Sequence, residues 1–109
     1  MSADVWLEVE GLESFHLNVT YNLSPMLRDA GWTWPDDRTW SSKFMDGLQA
    51  FDLGEKAMYV LHNLQASPEK YRLMNPENGW GDYDSLVERW GDFVEAIRQY
   101  PESTVRTWL

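Results

Sequence analysis

The amino-acid sequence predicts an α+β domain: a small antiparallel sheet with strands near 4–9, 15–21 and 103–108, packed by three to five helices, the longest spanning 82–100. Three observations carry this. Apolar and polar residues alternate near both ends of the chain, the period of a half-buried strand. Asp82 to Tyr100 repeats apolar residues at helical spacing, with Tyr83, Leu86, Val87, Trp90, Phe93, Val94, Ile97 and Tyr100 on one stripe. Ser24-Pro25 and Ser67-Pro68 each pair an N-cap residue with proline at the first helical position.

In chain order, V-W-L-E-V at Val5 to Val9 predicts the first strand, and Gly11 marks a hairpin turn into the second, near Phe15 to Tyr21. A short helix from Pro25 should end at Gly31, a C′ glycine. Trp32 to Trp40 holds three Trp in nine residues, with a turn at Pro35-Asp36-Asp37. Ser41-Ser42 can cap a segment with Phe44, Leu48 and Phe51 at helical spacing, weakened by Gly47. Leu53, Ala57, Val60, Leu61 and Leu64 predict a helix over 52–66, and a further short helix should follow Pro68 and stop near Asn75-Pro76. The stretch N-P-E-N-G-W-G is a turn-rich loop, after which Asp82 caps the longest helix and Pro101 ends it.

Length and composition predict one domain. A chain of 109 residues with 43% hydrophobic content and seven Trp can bury one core but not two. Without Cys there is no disulfide frame and no thiolate metal site. The first residues show neither a basic region nor a long apolar run, so no signal peptide or membrane span is expected, and the protein is expected to be soluble and cytoplasmic. Eighteen acidic against nine basic residues argue against direct nucleic-acid binding, which draws its affinity from Lys and Arg. The surplus suits simple solubility, or an acidic surface for a basic partner.

The chemically suggestive stretch is Phe15 to Met26. Phe15, Leu17, Val19 and Tyr21 fall on one strand face, and His16, Asn18, Thr20 and Asn22 on the other. That polar row contains amide, hydroxyl and imidazole groups rather than Lys, Glu or Arg, a set suited to fixed hydrogen bonds. Ser24 as N-cap would aim the free N–H groups of the next helix back toward the row, which suits a polar or anionic ligand. Trp32 and Trp34 either close the core or stack on a planar ligand. Asn78 and Trp80, in the glycine-rich turn, either buttress the core or join the site. His16 can serve structure or act as a base, with Asp36 or Asp37 assisting; His62 falls between core positions of its helix and suits a structural role. Asp84, Glu88, Asp92 and Glu95 line the outer face of the longest helix, as a solvated face or a surface for blocking a basic partner. No motif for a nucleophile elbow, P-loop, dinucleotide fold or paired zinc ligands is present, so no cofactor is expected and catalysis, as by a hydrolase using His16, is the less favoured reading.

L-N-V-T-Y-N-L-S-P-M at Leu17 to Met26 with Ala30-Gly31, together with N-P-E-N-G-W-G-D-Y at Asn75 to Tyr83 and Tyr100-Pro101, resembles a family of small proteins encoded in bacteriophage and prophage genomes. The likeness runs from about Leu17 to the end. Family members read N-x-T-x-N-L and then M-A-x-E-A-G, a pattern this chain leaves at Leu27-Arg28-Asp29. The resemblance implies a cytoplasmic protein of an infected bacterium that binds something of the host. One expectation is a non-catalytic protein that sequesters a small polar or anionic ligand, such as a nucleotide-derived immune signal, through His16, Asn18, Thr20, Asn22, Ser24, Trp32, Trp34, Asn78 and Trp80. Arg28, Arg38 or Lys43 would offset an anion, and an exposed edge strand would favour a homo-oligomer. The other is an acidic interaction inhibitor or nucleic-acid mimic that blocks a host defence protein through the carboxylate ladder.

Overall fold

The computed structural model describes residues 2–33, 45–79 and 81–108. Strands β1 (Ser2–Val9) and β2 (Leu12–Thr20) form a hairpin, and β3 (Thr104–Trp108) pairs antiparallel with the other side of β1, giving the order β2-β1-β3. Both turn residues, Glu10 and Gly11, have positive φ (52° and 79°), as the tight two-residue hairpin requires. The turn therefore sits where Gly11 predicts it. β2 nevertheless starts earlier than the alternation suggests, because the register shifts between Leu7 and Glu8: Leu7 faces Phe15 while Glu8 faces Glu13, leaving Ser14 as the extra residue of a bulge. Beyond the bulge the alternation holds, and Val5, Leu7, Leu17, Val19 and Val105 point into the core.

Among the described residues four helices follow: α1 (Ser24–Asp29), α2 (Phe51–Ala66), α3 (Pro68–Arg72) and α4 (Tyr83–Gln99). The expected cap on α1 is corrected. β2 ends at Thr20 and a 3-10 turn over Tyr21–Leu23 rolls straight into the helix. Leu23, drawn into the core, is the N-cap, Ser24 is already helical, and no side chain caps this end. The far end behaves as Gly31 predicts. With φ +113°, Gly31 donates to the Arg28 carbonyl and Trp32 donates to the Leu27 carbonyl, closing a Schellman motif that satisfies the last carbonyls. The Ser41-Ser42 cap expected for a preceding helix lies outside the described residues; α2 begins at Phe51, with the Asp52 carboxylate accepting from the Gln49 N–H.

α4 packs against β2 on one side and α2 on the other, and its predicted stripe is the heart of the core. Trp90 is fully buried, donates from its indole to the Ala57 carbonyl of α2 (2.9 Å), and meets Phe93 edge-on. Phe93 in turn stacks on Phe15 of β2 at 6.1 Å. Asp82 caps α4 as its position predicts, accepting from the Ser85 N–H at 2.8 Å.

Other segments reach both outer strands of the sheet. On β3, Val105 exchanges hydrogen bonds with Gly47 and Leu48, and Thr107 N–H donates to Asp46. On β2, Arg89 of α4 donates to the His16 carbonyl at 2.7 Å.

Candidate functional site

Two stretches far apart in sequence close on each other. The end of β2 with its 3-10 turn forms one wall of a recess of about 170 Å³, and the start of α4 forms the other. Asn18, Thr20, Asp82, Ser85 and Arg89 supply its polar groups, while Val19, Leu23 and Leu86 supply an apolar floor. The approach is close because Gly81 has no side chain. At its φ of +92°, a Cβ would stand 2.7 Å from Thr20 Cγ2 and 3.0 Å from Leu23 Cδ1.

The turn leading to Gly81 is held by hydrogen bonds the motif letters do not reveal. Asn75 Oδ1 accepts from the Tyr83 N–H (2.8 Å), and the Tyr83 hydroxyl donates to the buried Leu64 carbonyl (2.6 Å). The Tyr83 ring stacks on Tyr71, and the Arg72 guanidinium lies over the Tyr83 ring, 5.3 Å from its centroid. Arg72 also pairs with Asp84 at 2.8 Å, and this hydrogen bond holds the Asp84 carboxyl below the usual carboxylate range. Across the recess Arg89 joins α4 to the sheet: besides its bond to His16 it lies over the Phe15 ring, 5.7 Å from the centroid.

The expected residues divide as follows. Asn18 and Thr20 line the recess. Asn18 is oriented by Asp4 of β1, whose Oδ1 accepts from Asn18 Nδ2 (2.9 Å) and bonds His16 Nε2 (2.8 Å), so His16 faces the open side of the sheet beside Asp4 rather than the recess. Asn22 is exposed and its N–H points to Thr20 Oγ1 at 3.5 Å, a turn contact at the limit of hydrogen-bond length. Ser24 does not frame an anion site: its hydroxyl is buried within the start of α1, with no hydrogen-bond partner among the described residues.

Trp32 is corrected from ligand platform to core. It is 0% exposed and packs edge-on against Trp90 at 4.7 Å, so no guest can reach its face. Asn78 is exposed but is not part of the recess wall. Trp34 and Trp80 lie outside the described residues, as do Asp36, Asp37, Arg38 and Lys43. His62 is exposed on α2 rather than enclosed between core positions. Asp82, Ser85, Leu86 and Arg89 were missed as wall residues because helical periodicity reports which face packs, not what lies beside the first turn. Asp82 was legible only as a cap.

The carboxylate ladder is exposed but interleaved with cations. Asp84 pairs with Arg72, Asp92 with Arg89 at 3.4 Å and Glu95 with Arg98 at 3.8 Å. Among the described residues no group of three His, Asp or Glu side chains is placed to hold a metal, and no helix is long and apolar enough to cross a membrane. No protein-family model, curated protein or solved structure matches the chain.

Proposed function

We propose that the chain is a non-catalytic protein of bacteriophage or prophage origin that binds and sequesters a small polar ligand, a nucleotide-derived immune signal, in the recess between β2 and α4. One observation carries this: the two stretches that bear the phage-family likeness, Leu17 to Met26 and Asn75 to Tyr83, come together there, and the space they leave is lined by the polar residues Asn18, Thr20, Asp82, Ser85 and Arg89 together with Val19, Leu23 and Leu86. Ligand sites have this makeup, an apolar floor with a few convergent polar groups. A volume of about 170 Å³ is below the usual range for enclosing a drug-sized molecule, so part of a nucleotide would stay outside. On this proposal the protein acts in the cytoplasm of an infected cell.

The blocking role through the carboxylate ladder is the weaker alternative, because pairing of Asp84, Asp92 and Glu95 with arginines leaves a mixed surface rather than a negative one. The test is a thermal-shift screen against nucleotides and cyclic nucleotides. A ligand present at a hundred times its Kd stabilises a single site by about 2.7 kcal/mol. A concentration-dependent rise in Tm with at least one of them is expected. Unchanged melting across the whole panel would refute sequestration of a nucleotide signal.

A further inference from the structure

We infer that the recess takes the uncharged planar part of such a ligand, a single pyrimidine-sized ring, and leaves its phosphate outside. The inference rests on the ligand-binding role proposed above and concerns which moiety is enclosed. Size is the first ground. An apolar cavity of about 150 Å³ admits a benzene ring, so the recess of about 170 Å³ matches one six-membered ring with its substituents. Val19, Leu23 and Leu86 line the recess, each nearly buried and presenting only an edge to that ring.

Charge is the second ground. A phosphate at a helix start needs free backbone N–H groups. Here most of the donors at the helix start are already used: Tyr83 N–H by Asn75 Oδ1 (2.8 Å), Ser85 N–H by Asp82 Oδ1 (2.8 Å) and Leu86 N–H by the Asp82 carbonyl (3.1 Å). The Asp82 carboxylate itself sits in the wall, where it would repel an anion. Arg89, the wall's cation, already faces Asp92 and the His16 carbonyl. A neutral ring edge meets none of these penalties. Asp82 accepts from Ser85 at both oxygens yet keeps lone pairs for a ring N–H or amino group, and the guanidinium has five N–H donors, of which two are engaged by those partners. Ring nitrogens and carbonyls supply the matching acceptors.

The experiment titrates the whole protein with cytidine, uridine, their 5′-monophosphates, adenosine and inorganic phosphate, by calorimetry and by amide chemical-shift mapping. Cytidine or uridine should bind about as tightly as its monophosphate, adenosine roughly tenfold more weakly, and phosphate not at all. Shifts should centre on Thr20, Gly81, Asp82 and Ser85, and Ser85→Phe, which fills the recess, should weaken binding at least roughly tenfold. Monophosphates that bind while the nucleosides do not would overturn the inference and leave the ligand-binding role standing. Equal binding of adenosine, or shifts centred elsewhere in the wild-type protein, would also overturn it. Should none of these compounds bind, the inference falls, and the proposed function stands or falls with the thermal-shift panel, which also holds cyclic nucleotides. The wild-type mapping decides the matter even if the filled variant does not fold.

Discussion

Replacing Gly81 by alanine tests the close approach that creates the recess. Two costs are expected. At φ +92° an L-residue is strained, which for the left-handed region costs about 1–2 kcal/mol. The new methyl would also stand 2.7 Å from Thr20 Cγ2 and within 3.1 Å of the Leu23 branch. Neither neighbour retreats cheaply, since Thr20 is β-branched with a stiff χ1 and Leu23 is 5% exposed in the core. Overpacking of this kind costs about 1–3 kcal/mol. Gly79 separates the two costs, because it has φ +76° but no atom within 4 Å of an added Cβ. Gly79→Ala therefore measures backbone strain alone. Urea unfolding should place Gly81→Ala about 1–3 kcal/mol below Gly79→Ala with the same m-value, and thermal melting about 5–20 °C lower. Coincident midpoints for the two variants would refute the contact, and with it the physical basis of the recess.

Arg89→Met removes the guanidinium that ties α4 to the His16 carbonyl and covers Phe15; a loss of about 1–2 kcal/mol in urea unfolding is expected, along with any ligand-induced rise in Tm. Tyr83→Phe leaves the buried Leu64 carbonyl without its donor and should cost about 1–3 kcal/mol by the same assay, while ring stacking on Tyr71 persists. Stability should also fall in strong alkali. Burial, followed by the hydrogen bond to Asp29, pushes the Tyr71 phenol up to about 12, so the folded state keeps a proton that the unfolded chain sheds near pH 10. That contribution is complete below about pH 10 and is lost as pH rises through about 12; Tyr71→Phe should flatten this limb of the pH–stability curve. On the acid side, the hydrogen bonds from Lys70 and then Tyr71 hold the Asp29 carboxyl below its ordinary range. Its stabilisation is present above about pH 4 and lost as pH falls below it, and Lys70→Met should shrink that loss.

Periodicity was a reliable guide wherever one face of an element meets the core. The α4 stripe from Tyr83 to Ile97, the inward Leu17 and Val19, and the Gly31 terminus of α1 were all readable, because burial and positive φ leave direct marks in residue type. The register of the hairpin was not. An extra residue at Ser14 looks no different in sequence from a loop residue, yet it sets which residues face across the strands before it. The Ser24 cap failed for a related reason: Ser-Pro is a local signal, and with Leu23 drawn into the core the helix starts one residue earlier, so that Ser24 already lies inside it.

The polar row shows how a correct face assignment can still mislead about a site. His16 and Asn18 do share a face, but Asp4 stands opposite Asn18 on β1 and binds both side chains, so the row is organised from across the sheet. Alternation along one strand carries no information about the facing strand, and the partner acid could be found only once the register was known. The recess instead lies where the row runs off the sheet edge. There Thr20 meets Gly81, and the helix that begins two residues later contributes Ser85 and Arg89 from successive turns. Residues spaced by four on a helix project from the same side, so Ser85 and Arg89 can address one guest together while Asp82 answers from the cap. A ligand seated there would touch the strand end and the helix start at once. Its binding should stiffen the joint between β2 and α4, a coupling that hydrogen exchange at the Leu17 to Thr20 amides would report as increased protection on saturation.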